Sequence, residues 1–147
     1  MTLKMRYLDL KTKIRAVRML AIEGIAEAGS GHPGASFSAA EIMGALYFRK
    51  LVHNQFDPFW KGRDYFINSK GHSAPGFYAT LAVSGYFPIE EIKSLRGFGS
   101  RLQGHPVRYS EQQQKWSVPG IEYSGGSEGI GLSVSVGLAL ANRLDGN

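Results

Sequence analysis

The stretch that organises this chain is Ser-Gly-Gly-Ser-Glu-Gly-Ile-Gly-Leu-Ser-Val-Ser-Val-Gly-Leu-Ala-Leu-Ala-Asn-Arg-Leu, residues 124–144. It begins as a glycine-dense turn and continues as an apolar run of small residues, which predicts a helix. Glycine lets a turn approach another group closely, and the first helical turn presents unpaired N–H groups and the positive end of the helix dipole. This combination suits a phosphate or diphosphate. Close helix packing also requires glycine, so the stretch alone leaves both interpretations open.

Composition limits the class of protein. The 147 residues, 43% apolar and 20% charged, are typical of one globular domain. Without cysteine, disulfides and thiolate metal sites are excluded. The sequence shows no transmembrane run or signal peptide, so we expect a cytoplasmic protein without membrane contact. The formal charge of +5 comes from scattered basic residues, which we interpret as mostly solvated surface with some preference for anionic ligands. No nucleic-acid motif is present, so we expect no nucleic-acid binding.

Helical spacing dominates the first part of the chain. Apolar residues recur through 8–28 and Gly29 is a natural C-terminal stop. Ser38 and Glu41 form a capping-box pattern, which predicts that a second helix opens there. The apolar stripe of the first helix comprises Leu10, Ile14, Val17, Ala21, Ile25 and Ala28.

The best strand candidate is Tyr65-Phe66-Ile67-Asn68, followed by a tight loop and by a helix with Pro75 in its first turn. This order places His72 at the carboxyl end of a strand, where open α/β sheets hold ligands. Pro88 predicts another helix, and 107–123 has no periodicity, which is typical of a functional or partner-covered loop. One strand cannot form a sheet, so we predict a helix-rich part of an α/β fold.

Three of the four histidines follow glycine in predicted loops, namely His32, His72 and His105, whereas His53 does not. A single Gly-His is usually an ordinary turn. Three such loops, together with a glycine-rich turn, indicate that the imidazoles face an anionic, hydroxylated ligand. A zinc centre of three imidazoles is the alternative, although neither an i,i+4 histidine pair nor a neighbouring ligand carboxylate supports it. A serine nucleophile lacks its Gly-x-Ser-x-Gly turn.

Four motifs, in order and at similar spacing, resemble transketolase. They are Gly-Ser-Gly-His-Pro-Gly at 29–34, Asn-Ser-Lys-Gly-His at 68–72, Gln-Gly-His-Pro at 103–106 and Gly-Gly-Ser-Glu-Gly-Ile-Gly at 125–131. The resemblance is to the start of the thiamine-diphosphate-binding domain, in the style of the split form whose first domain is a separate N-terminal subunit. It implies an α/β, incomplete thiamine-diphosphate-binding fold, with residues 1–147 as the N-terminal part of a single domain.

The resemblance also implies roles for the histidines. His32 would lie near the reacting carbon of the cofactor and contact the ketose, and His105 would hydrogen-bond a hydroxyl of the donor sugar, so both are predicted to be catalytic. His72 would face the diphosphate of thiamine diphosphate. The cofactor would also pass close to the turn, with the following amides near its diphosphate; the predicted turn residues are Gly125, Gly126, Ser127 and Glu128.

Glu128 departs from the family pattern, Gly-x-Leu-Gly-Gln-Gly, which carries an apolar residue at this position. A carboxylate there would repel a diphosphate unless it is turned away, protonated or paired. We therefore expect altered cofactor geometry, altered substrate choice or lost activity.

The activity that the resemblance implies is transfer of a two-carbon ketol unit from a ketose phosphate to an aldose phosphate, as in the pentose phosphate pathway. Thiamine diphosphate and Mg²⁺ are the expected cofactors. The family's Gly-Asp-Gly motif does not occur in residues 1–147, so we predict no metal ligand here. We expect activity only with a C-terminal transketolase subunit or the remainder of the same chain, in a dimer or higher assembly.

Two alternatives stay open. The first is a related thiamine-diphosphate enzyme with a different sugar substrate, although His-Pro-Gly at 32–34 argues against a deoxyxylulose phosphate synthase relative. The second is a non-catalytic subunit that binds a partner, which Glu128 and the missing metal motif favour.

Overall fold

A computed structural model describes residues 3–109 and 117–146. Within these ranges the chain forms four α-helices, a π-helical turn at Leu46–Lys50, and two 3₁₀ turns at Gly71–Ser73 and Ile89–Ser94. The helices are α1 (Leu3–Ala28), α2 (Pro33–Ala45), α3 (Ala74–Val83) and α4 (Ile130–Leu144). The described part of the chain is thus helical or irregular and contains no β-strand.

The predicted stripe of α1 is confirmed. Ile14, Val17 and Ala21 are buried, and the other members of the stripe pack against the core from partly buried positions. Gly29 ends the helix with φ +60°, a left-handed conformation that glycine adopts without steric cost. The N-terminal third of the helix extends beyond the packed region, because Met5, Tyr7 and Leu8 are exposed.

Helix α3 lies at the centre of the fold and packs against both α1 and α2. Every residue from Ala74 to Ala82 is buried. Gly76 permits the closest approach, since a Cβ there would lie 3.0 Å from the Cβ of Ser36 on α2. Pro75 occupies the first turn of α3, as predicted, and Gly85, at φ +87°, follows the end of the helix.

The predicted start of α2 is wrong. The helix begins at Pro33, because proline has a helical φ and its missing N–H is not needed in the first turn. Ser38 consequently lies inside the helix, where its hydroxyl donates to the carbonyl oxygen of Ala35 at 3.1 Å. His32 still occupies a short loop between two helices.

The strand predicted at residues 65–68 is not observed. These residues belong to neither a strand nor a helix in the structure, since a strand requires a hydrogen-bonded neighbour. His72 therefore lies in a 3₁₀ turn after an irregular segment, not after a strand. The helix expected from Pro88 is a 3₁₀ turn, in which Ile92 is buried.

The contact between Arg63 and Glu122 secures the irregular segments. Arg63 forms two hydrogen bonds with the carboxylate of Glu122, at 2.6 and 2.9 Å, and both side chains are 12% exposed. The pKa of Arg63 is raised by this contact. The pair joins the turn near Arg63 to residues 117–123, which are irregular as predicted; 110–116 of the same predicted loop lie outside the described residues.

His53, the histidine outside the Gly-His loops, is held within the fold. Its Nε2 lies 3.0 Å from the carbonyl oxygen of Tyr47, and its Nδ1 lies 3.2 Å from the hydroxyl of Tyr86. Burial raises the pKa of Tyr86 to about 12, so this phenol is neutral near physiological pH. Both ring nitrogens of His53 are thus engaged within the fold.

Helix α4 packs differently from the other three helices. Gly131 is buried in its first turn, where a Cβ would come within 2.6 Å of the Cβ of Ser69. Gly137 and Ala141, farther along the helix, are exposed. No described helix is both long and apolar enough to cross a membrane.

Candidate active site

The three predicted site histidines lie together. The ring centroids of His32 and His72 are 4.7 Å apart, and those of His72 and His105 are 5.8 Å apart, with edge-to-face geometry in both pairs. Each histidine comes from a different loop: His32 precedes α2, His72 lies in the 3₁₀ turn before α3, and His105 follows the 3₁₀ turn at Ile89–Ser94. The fold therefore brings together residues that are 73 positions apart in the sequence, with His72 in the middle.

Glycine allows the loops to come this close. A Cβ on Gly71 would collide with the ring of His105 and would lie 3.3 Å from the Cα of Gly126. Gly125 is equally confined, because a Cβ there would lie 3.1 Å from the carbonyl oxygen of Asn68. The predicted turn thus lies directly against the Asn-Ser-Lys-Gly-His motif and the ring of His105.

The start of α4 is capped from outside the helix. The hydroxyl oxygen of Ser69 accepts hydrogen bonds from the backbone N–H groups of Gly129 and Gly131, at 3.1 and 3.2 Å. A serine hydroxyl satisfying two first-turn donors performs the role of an N-cap residue. Two of the amides that the sequence places near a diphosphate therefore already have a partner, which the spacing of the motifs could not indicate.

Glu128 is paired with one of the site histidines. Its Oε1 lies 3.2 Å from Nδ1 of His72, and the two side chains are 60% and 45% exposed. A carboxylate beside a diphosphate must be turned away, protonated or paired, and in the structure Glu128 is paired. Because the pair is open to solvent, its direct contribution to folding stability is small.

Arg96 is a site neighbour that the sequence motifs did not identify. Its Nη1 donates to the hydroxyl of Ser30 at 3.2 Å, and its guanidinium lies against Gly104. The residue has φ +58°, which is uncommon for a side chain other than glycine. Arg96 thereby joins the loops of His32 and His105, and no sequence motif marks this position.

Two further contacts fix the loops. Lys70 donates to the hydroxyl of Ser38 on α2 at 2.8 Å, and the buried phenol of Tyr78 donates to the carbonyl oxygen of Gln103 at 2.9 Å. Burial raises the pKa of Tyr78 far above its usual value, so this phenol remains a hydrogen-bond donor. The histidine loops are therefore positioned by α2 and α3 and not only by their own turns.

The arrangement suits an anionic, hydroxylated ligand. Three imidazoles share one surface with the exposed part of the turn, Gly126 to Glu128, and His72 and His105 are accessible to solvent. Within residues 3–109 and 117–146, no group of three or more histidine, aspartate or glutamate side chains is arranged to hold a metal ion. The described residues thus give no support to the zinc alternative.

Comparison with known families covers nearly the whole chain. Residues 10–146 match the family described as "Transketolase, thiamine diphosphate binding domain". A 6-deoxy-6-sulfo-D-fructose transketolase subunit from Clostridium sp. (strain MSTE9) is 40% identical over 138 residues, which are 94% of this chain and 48% of that protein. An apulose-4-phosphate transketolase subunit from Actinobacillus succinogenes is 38% identical over 96% of this chain and 49% of its own length.

Solved structures give the same result. Transketolase from Leishmania mexicana superposes with a TM-score of 0.81 at 34% identity, covering 90% of this chain and 19% of that one. The chain therefore spans about half the length of the subunit relatives and about a fifth of the transketolase of solved structure. The four motifs, the clustered histidines, the family match and the superposition agree, and the chain belongs to the transketolase family, within its thiamine-diphosphate-binding domain.

Proposed function

We propose that this chain supplies the diphosphate side of a thiamine-diphosphate site in an enzyme that transfers a two-carbon ketol unit between sugar phosphates. The observation that carries the proposal is the cluster of His32, His72 and His105 against the turn at Gly125 and Gly126. Imidazoles can donate hydrogen bonds to phosphate and exchange protons with sugar hydroxyls near neutral pH.

The residues present fit the cofactor. Gly126 is exposed and has no side chain to obstruct a close ligand, whereas Gly125 is buried against Asn68. The ring of His72 is half exposed beside the turn. When bound, thiamine diphosphate supplies the carbanion and the electron sink of ketol transfer. In this proposal His72 and the turn of Gly125, Gly126, Ser127 and Glu128 hold the cofactor, while His32 and His105 contact the sugar.

The remainder of the site comes from outside residues 1–147. Mg²⁺ neutralises phosphate oxygens through hard oxygen ligands, and we propose that a complementary C-terminal subunit or further sequence supplies them. The subunit names of two relatives support a partner chain. We further propose that the protein is cytoplasmic, acts in the pentose phosphate pathway and does not bind nucleic acid. We expect it to work as a dimer or higher assembly.

A different sugar is the second candidate. The two subunit relatives are named for 6-deoxy-6-sulfo-D-fructose and apulose 4-phosphate, and their similarity extends over 94 and 96% of this chain. Solved relatives were determined with sedoheptulose 7-phosphate and fructose 6-phosphate. Glu128, which departs from the family pattern at the turn, also favours a substrate other than the usual ketose phosphates.

Ketol transfer by the assembled protein tests the proposal. The protein and its complementary chain are supplied with thiamine diphosphate, Mg²⁺ and an aldose phosphate acceptor, and each of the four named sugars is tried as donor. Turnover of fructose 6-phosphate or sedoheptulose 7-phosphate supports the first candidate, and exclusive turnover of one of the other two supports the second. Stable assembly without turnover of any donor would favour the non-catalytic subunit.

Histidine variants separate the proposed roles. We expect His105→Ala to reduce donor turnover more than cofactor affinity, and His72→Ala to reduce the affinity for thiamine diphosphate. His53→Gln is the matched control, because His53 contacts Tyr47 and Tyr86 instead of the cluster. Unchanged donor kinetics in His105→Ala, or unchanged cofactor affinity in His72→Ala, would contradict the corresponding role.

A further inference from the structure

Glu128 determines which hydrogen-bonding groups His72 can offer. A carboxylate can only accept, so the 3.2 Å contact requires a proton on Nδ1 of His72. Neutral imidazole carries one proton, which leaves Nε2 with a lone pair. Among the described residues Nε2 has no hydrogen-bond partner, and the side chain is 45% exposed, so this atom is free to face a ligand.

We propose that Glu128 is a positioning residue that fixes the Nδ1–H tautomer of His72, so that an anionic ligand binds Nε2 together with a proton. A neutral ring held in this tautomer presents a lone pair to a phosphate oxygen, which is repulsive. Only the doubly protonated ring can donate from Nε2, and it then lies between two anionic groups, the carboxylate and the ligand. The proton comes from solvent and is released when the ligand leaves.

The groups around His72 permit this behaviour. The imidazoles of His32 and His105 contact it edge-to-face, and the ammonium of Lys70 is bonded to Ser38. Glu128 is the carboxylate that contacts His72 in the described structure. A leucine here, as in the usual family pattern, could not engage Nδ1, and the neutral ring could then adopt the Nε2–H form that it prefers in water.

The inference predicts a different dependence of ligand affinity on pH. With Glu128, anion affinity falls as pH rises, approaching about ten-fold per pH unit for one linked proton. In Glu128→Leu the neutral ring donates without taking up a proton, so the dependence is much flatter. Removal of a carboxylate also raises affinity at every pH, so the slope, and not the absolute affinity, tests the pair.

Tautomer spectroscopy tests the pair without assuming a function. Solid-state ¹⁵N NMR of histidine-labelled full-length protein, assembled with any partner chain, distinguishes the two neutral tautomers, with the His72 signal assigned from a His72→Gln variant. We expect Nδ1–H in the wild type and Nε2–H in Glu128→Leu. Glu90→Leu is the matched control, because Glu90 is an exposed glutamate on another element, and it should leave the signal unchanged.

The linked proton is tested by measuring the affinity for thiamine diphosphate, in the presence of Mg²⁺, from pH 7 to 9. This second test rests on the proposed function. A steep dependence in the wild type and Glu90→Leu, and a flat one in Glu128→Leu, is expected. Equal slopes in the wild type and Glu128→Leu, or an Nε2–H tautomer in the wild type, would overturn the inference. Failure of all proteins to bind would contradict the proposed function, while the tautomer would still decide the role of Glu128.

Discussion

Helices α3 and α4 are both rich in apolar and small residues, yet they occupy opposite environments in the structure. Every residue of α3 from Ala74 to Ala82 is buried, whereas in α4 burial is limited to Gly131. On α4, Leu132, Leu140 and Leu144 are 72, 57 and 87% exposed. The two helices also flank the site, because α3 follows the turn that carries His72 and α4 follows the glycine turn.

The difference shows that apolar composition predicts a helix but not the number of neighbours that cover it. Helix α3 contacts α1, α2 and the 3₁₀ turn at Ile89–Ser94, and its residues from Ala74 to Ala82 are buried. Helix α4 is held mainly at its first turn, through Ser69 and Gly131. The subunit relatives are about twice as long as this chain.

Phe77→Ala truncates a buried side chain of α3 and has the largest expected effect on stability. Phe77 is 1% exposed and its ring lies 5.2 Å from that of Phe66, so truncation leaves a cavity at the centre of the fold. We expect the free energy of unfolding in urea to fall by about 3–5 kcal/mol. Phe98→Ala is the control, because Phe98 is fully exposed; equal losses in both variants would contradict the central position of α3.

Ser69→Ala tests whether the hydrogen bonds of Ser69 hold the first turn of α4 in place. The variant removes the oxygen that accepts from the N–H groups of Gly129 and Gly131, which is equivalent to losing a helix cap. We expect the free energy of unfolding to fall by about 1 kcal/mol and amide hydrogen exchange to become faster in the first turn of α4. Ser133→Ala, an exposed serine of the same helix, should change neither quantity, and equal exchange in both variants would show that Ser69 does not hold α4.

Leu140→Ala has the smallest expected effect. Its side chain is 57% exposed on the outer face of α4, so truncation creates no cavity in the described fold. We expect the unfolding free energy of this chain by itself to change by less than about 0.5 kcal/mol in urea denaturation. A loss of about 2 kcal/mol, the size expected for a buried leucine, would contradict the open face of α4 and remove the contrast with α3.

The sequence predicts the parts that depend on local order. The stripe of α1, the stop at Gly29 and the position of Pro75 follow from spacing and from the backbone preferences of glycine and proline, which act within a few residues. The three Gly-His loops are also recognisable from the sequence, and the structure places their rings together.

The remaining features depend on contacts between distant segments. The capping-box interpretation of Ser38 is wrong because Pro33 starts the same helix earlier, and the strand at 65–68 is absent because no described segment pairs with it. Neither the cap that Ser69 supplies to α4, 60 residues away, nor the bridge from Arg96 to Ser30 has a sequence motif. Pairing of Glu128 with His72 is one of three arrangements that the sequence permits, and only the fold selects it.

The most direct test of the central claim is a histidine NMR titration of the assembled protein with thiamine diphosphate and Mg²⁺. His53 serves as an internal control, since both of its ring nitrogens are engaged by Tyr47 and Tyr86. The account predicts that the signals of His32, His72 and His105 shift on saturation while that of His53 does not. Saturation of the protein without a shift at any of the three clustered histidines would contradict it.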